Sequence, residues 1–153
     1  MFDVKRDDLT GEQTRNLLAQ YLAGMHASSP AGSVFAFDLS GLQSADVTVW
    51  SAWSGDRIAS IGALKMLGDG DGEVKSMRTQ PDFVRRGAAA AILETIIETA
   101  MTNGASRLSL ETGSGAPFEA ALALYRQRGF ADGAPFSDYK STEFNQFLHL
   151  GLR

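Results

Sequence analysis

The sequence predicts a mixed α/β domain, and three observations carry that expectation. Two strand-like runs, "DVTVWSAW" and "RIASIGALKML", are joined by the short glycine-centred connection "SGD" (Ser54 to Asp56), which is a hairpin signal. Ala88, Ile92, Leu93, Ile96, Ile97, Ala100 and Met101 recur at helical spacing and form one apolar stripe. Beyond the hairpin, strand and helix patterns alternate to the end of the chain, as in one layer-packed domain. With 153 residues the chain suits a single domain, residues 1–153, with one substantial core.

The elements follow in order. "FDVKRDD" reads as a short first strand. Leu17, Leu18, Tyr21, Leu22 and Met25 share one helical face, with Thr10 as N-cap. Pro30, in "SSPAGS", ends that helix. A short helix is expected at Asp38 to Gln43, and the hairpin comes next. "GDGDG" (Gly68 to Gly72) is a turn, and "GEVKSMRT" is a third strand. A helix is expected from Arg85 to Asn103, stopped by Asn103-Gly104. "SRLSLET" is a strand, Pro117 opens a helix through Arg128, and Gly129 ends it. Segments around "GFADGAPF" and "FNQFLHLGLR" read as the last strands.

Composition excludes several chemistries. The chain has no cysteine, which removes disulfides, thiolate metal sites and cysteine nucleophiles. A net charge of −4 argues against a broad nucleic-acid-binding face. His26 and His149 stand far apart in sequence with no further ligand cluster, so no metal site is expected. The start lacks the order of a signal peptide, and no window approaches the roughly 18 apolar residues of a membrane span. The expectation is a cytoplasmic protein with no membrane or nucleic-acid partner, as a monomer or homodimer.

The most informative stretch is "MRTQPDFVRRGAAAAIL" (Met77 to Leu93), a strand end, a proline loop, then Arg85-Arg86-Gly87 at a helix start. The first turn of a helix has unpaired N–H groups and a partial positive charge. Glycine lets the backbone approach a ligand, alanines keep bulk away, and two arginines add positive charge at the mouth. These are the requirements of a pyrophosphate site. Neither G-x-G-x-x-G nor G-x-x-x-x-G-K-[ST] is present, which weakens dinucleotide and P-loop readings.

This stretch resembles the GNAT superfamily of acetyl-CoA-dependent N-acetyltransferases, whose signature is a strand ending in V-x-P, then [QR]-x-x-G-x-[GA] opening a helix. Thr79-Gln80-Pro81 stands at the first element and Val84-Arg85-Arg86-Gly87-Ala88-Ala89 at the second. Gly87 and Ala89 match, while Val84 replaces the polar residue. A second family element, N-x-x-A-x-x-L-Y-x-x-x-G-F, is matched by Phe118 to Phe130, with Ala121, Leu124, Tyr125, Gly129 and Phe130 in register. Phe118 takes the place of the asparagine. "SRLSLET" separates the two elements, as in the family, and the phrases "GEVKSMRT" and "SLETGS" resemble a small bacterial branch with mostly unassigned substrates.

The resemblance implies a mixed, mostly antiparallel sheet of six or seven strands with helices on both faces. It also implies acetyl-CoA as co-substrate, with no metal, and a small-molecule, amino-acid or peptide amine as acceptor. Arg85, Arg86, Gly87, Ala88 and Ala89 would bind the pyrophosphate. Met77 and Thr79 would offer backbone groups to pantetheine where the central strands splay, at a position where a bulge is common. An amine with a pKa near ~10 is protonated at neutral pH, so a base is needed. Glu73 stands where several members place a catalytic glutamate; Glu111 is its rival, and water alone is a third option. Tyr125 matches the tyrosine that protonates the departing thiolate. The acceptor pocket would form from Met25 to Pro30, the Trp50 hairpin and "PFSDY" (Pro135 to Tyr139), with Trp50, Glu111 and Tyr139 as contacts. Trp50 and Trp53, three apart, should face opposite sides of their strand. Two other classes compete: a catalytically silent CoA-binding module, and a partner-binding domain whose arginines are merely solvated.

Overall fold

The computed structural model describes residues 2–19, 39–137 and 139–152. Tyr21, Leu22, Met25, His26, the break at Pro30 and the Met25–Pro30 part of the expected acceptor pocket lie outside the described residues.

Seven strands form one sheet in the order β1-β2-β3-β4-β5-β7-β6. They are β1 (Asp3–Arg6), β2 (Val47–Ser54), β3 (Arg57–Met66), β4 (Gly72–Thr79), β5 (Arg107–Thr112), β6 (Ala131–Asp132) and β7 (Gln146–Gly151). Every neighbouring pair is antiparallel except β4 and β5, which are parallel. Helix α1 is described over residues 12–19. It is followed by α2 (Leu39–Leu42), α3 (Ala88–Thr102) and α4 (Glu119–Arg128). The expected mostly antiparallel α/β sheet with helices on both faces is the fold observed.

Two apolar clusters, one on each face, hold the layers. Ile92, Leu93, Ile96 and Ile97 of α3, with Leu122 and Tyr125 of α4, pack against Val74, Leu108 and Leu110. On the other face Leu17 and Leu18 of α1 and Leu42 of α2 cover Val49, Ile58 and Ile61. Alternation along β2 sends Trp50 to the α3 side and Trp53 to the α1 side, the opposite orientations expected. Helix α3 has no side-chain cap at its N-terminus, a deficit of ~1 kcal/mol. Burying its four large aliphatic side chains offsets that easily, at roughly 1.5–3 kcal/mol each. Packing, not capping, holds this helix.

Polar contacts seat α1. The Asp7 carboxylate accepts hydrogen bonds from Leu9 N (2.8 Å), Thr14 Oγ1 (2.9 Å) and Ser51 Oγ (2.7 Å). Gln13 bridges to the hairpin, donating to Asp56 O at 2.8 Å and accepting from Ile58 N at 2.9 Å.

Several local expectations need correction. Thr10 does not cap α1: its hydroxyl bonds Asp8 Oδ1 at 2.6 Å, and residue 11 lies between it and the first helical residue. The hairpin turn is two residues, because Ser54 pairs with Arg57, and Gly55 supplies the positive φ of 61°. Helix α3 begins at Ala88, three residues later than expected. Left-handed φ values of 64° at Arg85 and 98° at Gly87 keep the preceding loop out of the helix. Met101 is 52% exposed, since it turns off the stripe one position beyond buried Ala100. Pro117 sits in a 3-10 turn (Ala116–Phe118), so α4 starts at Glu119. Only Ala131–Asp132 of the "GFADGAPF" segment is strand.

One irregularity matters most for function. Ile61 pairs with Arg78 and Ala63 with Lys75, so Ser76 and Met77 together oppose Gly62, a β-bulge with Ser76 at φ 54°. A Cβ on Gly62 would overlap Met77 Sδ and lie 2.7 Å from Ile92 Cγ2. Only a hydrogen fits there. The substitution Gly62→Val is therefore expected to lower unfolding free energy by about 1–3 kcal/mol, through overpacking. Denaturant melts check this, and a variant as stable as the parent would show that the bulge has room to spare.

Candidate active site

The bulge and the parallel pairing together open the site. Strands β4 and β5 pair only at Gly72–Leu108 and Glu73–Ser109, and then separate. The notch between them widens into a cleft of about 840 Å³. It runs from the start of α3 (Gly87 to Ala90), along β4, to Glu73, Glu111 and Tyr139.

At the α3 end the loop is shaped for an anion. Gln80 N bonds Ala59 O at 2.8 Å, which ties the end of β4 to β3. The 3-10 turn Pro81–Phe83 then carries the chain to Gly87. No side chain caps α3 and its first turn holds no acidic residue, so its leading N–H groups keep their donor capacity and partial positive charge. No side chain or neighbouring backbone lies within 4 Å of where a Cβ on Gly87 would stand, so the space over it is open. Arg85 lines the cleft, whereas Arg86 is exposed and does not.

The other end holds two carboxyl groups. Glu73 is 3% exposed; its Oε2 accepts a 2.5 Å hydrogen bond from Tyr139 and lies 3.8 Å from Lys75 Nζ. Burial pushes the Glu73 pKa up, partly countered by Lys75, the Tyr139 hydroxyl and Lys65. Glu111 is pushed up to about 7, first by burial and further by the negative charge of Glu73, against a hydrogen bond from Asn145 and the charge of Lys75. Glu111 therefore changes charge near neutrality, beside a Glu73 carboxyl whose pKa burial also raises.

The segment between β6 and β7 holds this arrangement. Phe136 packs edge-on to Tyr139 (5.2 Å) and Phe147 (6.0 Å). Asn145 is locked by Thr142, whose N and Oγ1 donate to its Oδ1 at 2.7 and 3.0 Å, and by its own bond to Lys140 O at 2.9 Å. His149 is a structural link, with Nδ1 2.7 Å from Ser109 Oγ and Nε2 2.8 Å from Ala134 O.

Of the residues singled out from sequence, Glu73, Met77, Thr79, Arg85, Gly87, Ala88, Ala89, Glu111, Tyr125 and Tyr139 all line this one cleft. Tyr125 is 5% exposed and packs on Phe130 at 5.7 Å, so it serves the core and the cleft wall at once. Trp50 does not reach the cleft; at 6% exposure it lies in the core beneath α3, because its strand position alternates inward. Sequence reasoning missed Asn145 and Arg78. An asparagine just before the last strand gives no signal by itself, since its relevance comes from a neighbour 34 positions away.

Comparisons with known proteins agree with this geometry. The model of the acetyltransferase (GNAT) family matches residues 12–130. The uncharacterised N-acetyltransferase YedL of Escherichia coli K12 is 47% identical over 152 residues, covering 99% of this chain and 96% of that protein. The uncharacterised N-acetyltransferase YsnE of Bacillus subtilis is 48% identical over 145 residues, covering 95% and 96%. Among solved structures, an acetyltransferase of Bacillus subtilis in complex with CoA superposes with a TM-score of 0.70 at 17% identity, covering 100% of both chains. With two family elements in register, a splayed β4–β5 pair and relatives of nearly equal length, the chain belongs to the GNAT family of acetyltransferases.

Proposed function

We propose that the protein, acting as a single N-acetyltransferase domain, moves an acetyl group from acetyl-CoA to the amine of a small molecule, amino acid or peptide. The amine attacks directly, with both substrates bound together. One observation carries this reading: a single cleft has an uncapped helix start at one end and a carboxyl pair at the other. The first suits a pyrophosphate and the second suits an ammonium that must lose a proton. The CoA complex of the structurally similar Bacillus subtilis acetyltransferase supports the choice of donor.

Each step then has a residue. The pyrophosphate rests on the N–H groups from Gly87 to Ala89, with Arg85 at the mouth. Pantetheine runs along the open edge of β4, where backbone groups of Met77 and Thr79 are its partners. The ammonium gives its proton to the carboxyl pair. Glu111 is the better-poised acceptor, because Glu73 is more deeply buried and already engaged by Tyr139 and Lys75. The freed nitrogen attacks the thioester carbonyl carbon, and a backbone N–H at the bulge stabilises the oxyanion. The C–S bond breaks, and the Tyr125 hydroxyl protonates the thiolate.

Thiol release from acetyl-CoA across a panel of amines tests the function itself. Amine-dependent release is expected, whereas tight CoA binding with no turnover anywhere would favour a silent binding module.

Gly87→Val tests the anion site. A bulky side chain there enters open cleft space, so acetyl-CoA affinity should fall at least about tenfold, which removes roughly 1.4 kcal/mol of ligand-induced stabilisation. Titration by thermal shift reads this, and retained affinity would place the pyrophosphate elsewhere.

Glu111→Gln tests the base. In the parent, kcat/KM should rise with pH through about 7, and the variant should lose that limb. Stability gives a second signature. With a folded pKa raised above 4.5, the folded state binds more protons than the unfolded chain between pH 4.5 and about 7. This group's contribution is therefore present below that window and lost as pH rises through it. The variant should gain on the parent between pH 5 and pH 8 by on the order of 1 kcal/mol. Parallel pH curves for the two proteins would rule out a perturbed Glu111.

A further inference from the structure

We propose that the acceptor carries a carboxylate beside its amine, and that Arg78 binds that carboxylate and sets the preference for it. The inference rests on the acetyltransferase reading, because it names the acceptor of the same cleft.

Arg78 lines the cleft, and its Nε is shielded from water without a hydrogen-bond partner. Among the described residues it is the buried side-chain nitrogen left in that state. Other arginines of the chain face carboxylates: Arg57 meets Asp82, Arg126 meets Asp132 and Arg128 meets Glu94. A shielded guanidinium N–H without an acceptor is costly, and native structures rarely tolerate one without a reason. Arg78 forms part of the cleft wall, so an acceptor group arriving with the substrate can engage the guanidinium from the cleft side.

The register places Arg78 on the acceptor side. Directly opposed residues in an antiparallel pair share a face of the sheet. Arg78 opposes Ile61 and Lys75 opposes Ala63, both members of the cluster on the α1 side. Glu73 opposes Lys65, while Val74 and Met77 turn to the α3 side. The bulge thus leaves Glu73, Lys75 and Arg78 on the face away from α3, with Arg78 directly after the bulged pair Ser76 and Met77. Its main chain is pinned there, since Ser60 Oγ donates to Arg78 O at 2.8 Å and sits 3.0 Å from Thr79 Oγ1.

Charge then selects the ligand class. The planar guanidinium fork matches a carboxylate in two parallel hydrogen bonds. Glu73 and Glu111 line the same cleft and disfavour a doubly charged phosphate. A zwitterion fits both ends, with its ammonium towards the carboxyl pair and its carboxylate towards Arg78. Free amino acids are the simplest molecules of that kind.

The test compares L-amino acids with their matched carboxamides, by thiol release from acetyl-CoA at one pH. The parent protein should favour the acids by about 10- to 100-fold in kcat/KM, chiefly through KM, as expected for a charge-assisted pair. In Arg78→Gln the ratio should fall towards one, with the loss again in KM for the acid, and Arg78→Lys should restore part of it. KM for acetyl-CoA and the melting temperature of the variants serve as controls and should stay close to the parent's. Equal use of acids and amides by the parent, or an unchanged ratio in Arg78→Gln, overturns the inference and leaves the acetyltransferase reading intact. A loss that falls on acetyl-CoA instead overturns it too, by placing the guanidinium on the donor. No turnover with any amine would remove both readings together.

Discussion

Everything distinctive in this structure depends on the bulge at Ser76 and Met77. Two residues of β4 face the single residue Gly62 of β3, and the extra length changes which side chains face which layer. Without it, simple alternation from Lys75 would turn Arg78 to the α3 face. The bulge has a cost, because Ser76 is held at φ 54°, a region L residues avoid by about 1–2 kcal/mol. It persists because the surroundings leave no alternative. Gly62 has no side chain to push it out, Met77 packs against the α3 cluster, and Ser60 clasps the strand just beyond. Pairing of β4 with β5 stops at Glu73, so backbone groups of β4 that a continuous sheet would consume face a cleft instead.

The electrostatics of the cleft follow from that geometry. Opening a sheet between two inner strands exposes residues that sit deep in the fold, so charged groups there are partly cut off from water. Glu73 and Glu111 are held in that environment, and burial is the leading cause of the upward pKa shift in each. The same low-polarity surroundings strengthen every contact they make. The segment before β7 controls those contacts, since Phe136 and Phe147 set the Tyr139 ring and Asn145 sits inside a turn of its own. Losing Tyr139 or Asn145 would remove a contact that counters the burial-driven rise in the pKa of Glu73 or Glu111 respectively.

The α3 terminus shows a different economy. A helix start without a cap, acidic residue or bulky side chain is locally unfavourable, yet it is well held by the apolar stripe behind it. Stability is supplied by one face of the helix, which frees the terminus for a ligand. Tyr125 makes a similar compromise: its ring closes the core against Phe130 while its position lines the cleft.

Much of this was legible in the sequence, and the reason is locality. The order of strands and helices, the α3 stripe, the Gly129 stop and the two family elements all reside in short windows, where period and turn chemistry act on neighbouring residues. Gly87 and Tyr125 could be named from such windows, and both line the cleft. Other features depend on partners distant along the chain. The late start of α3 follows from left-handed backbone at Arg85 and Gly87, and the inward turn of Trp50 from its place in the sheet. The link from Asn145 to Glu111 spans two strands, and the turn of Arg78 away from α3 follows from a register shift against β3. The sequence by itself determined which elements form and which family elements the chain carries. Tertiary structure alone decided which charges share the cleft, because cross-strand register, and not spacing along the chain, sets the face on which a side chain emerges.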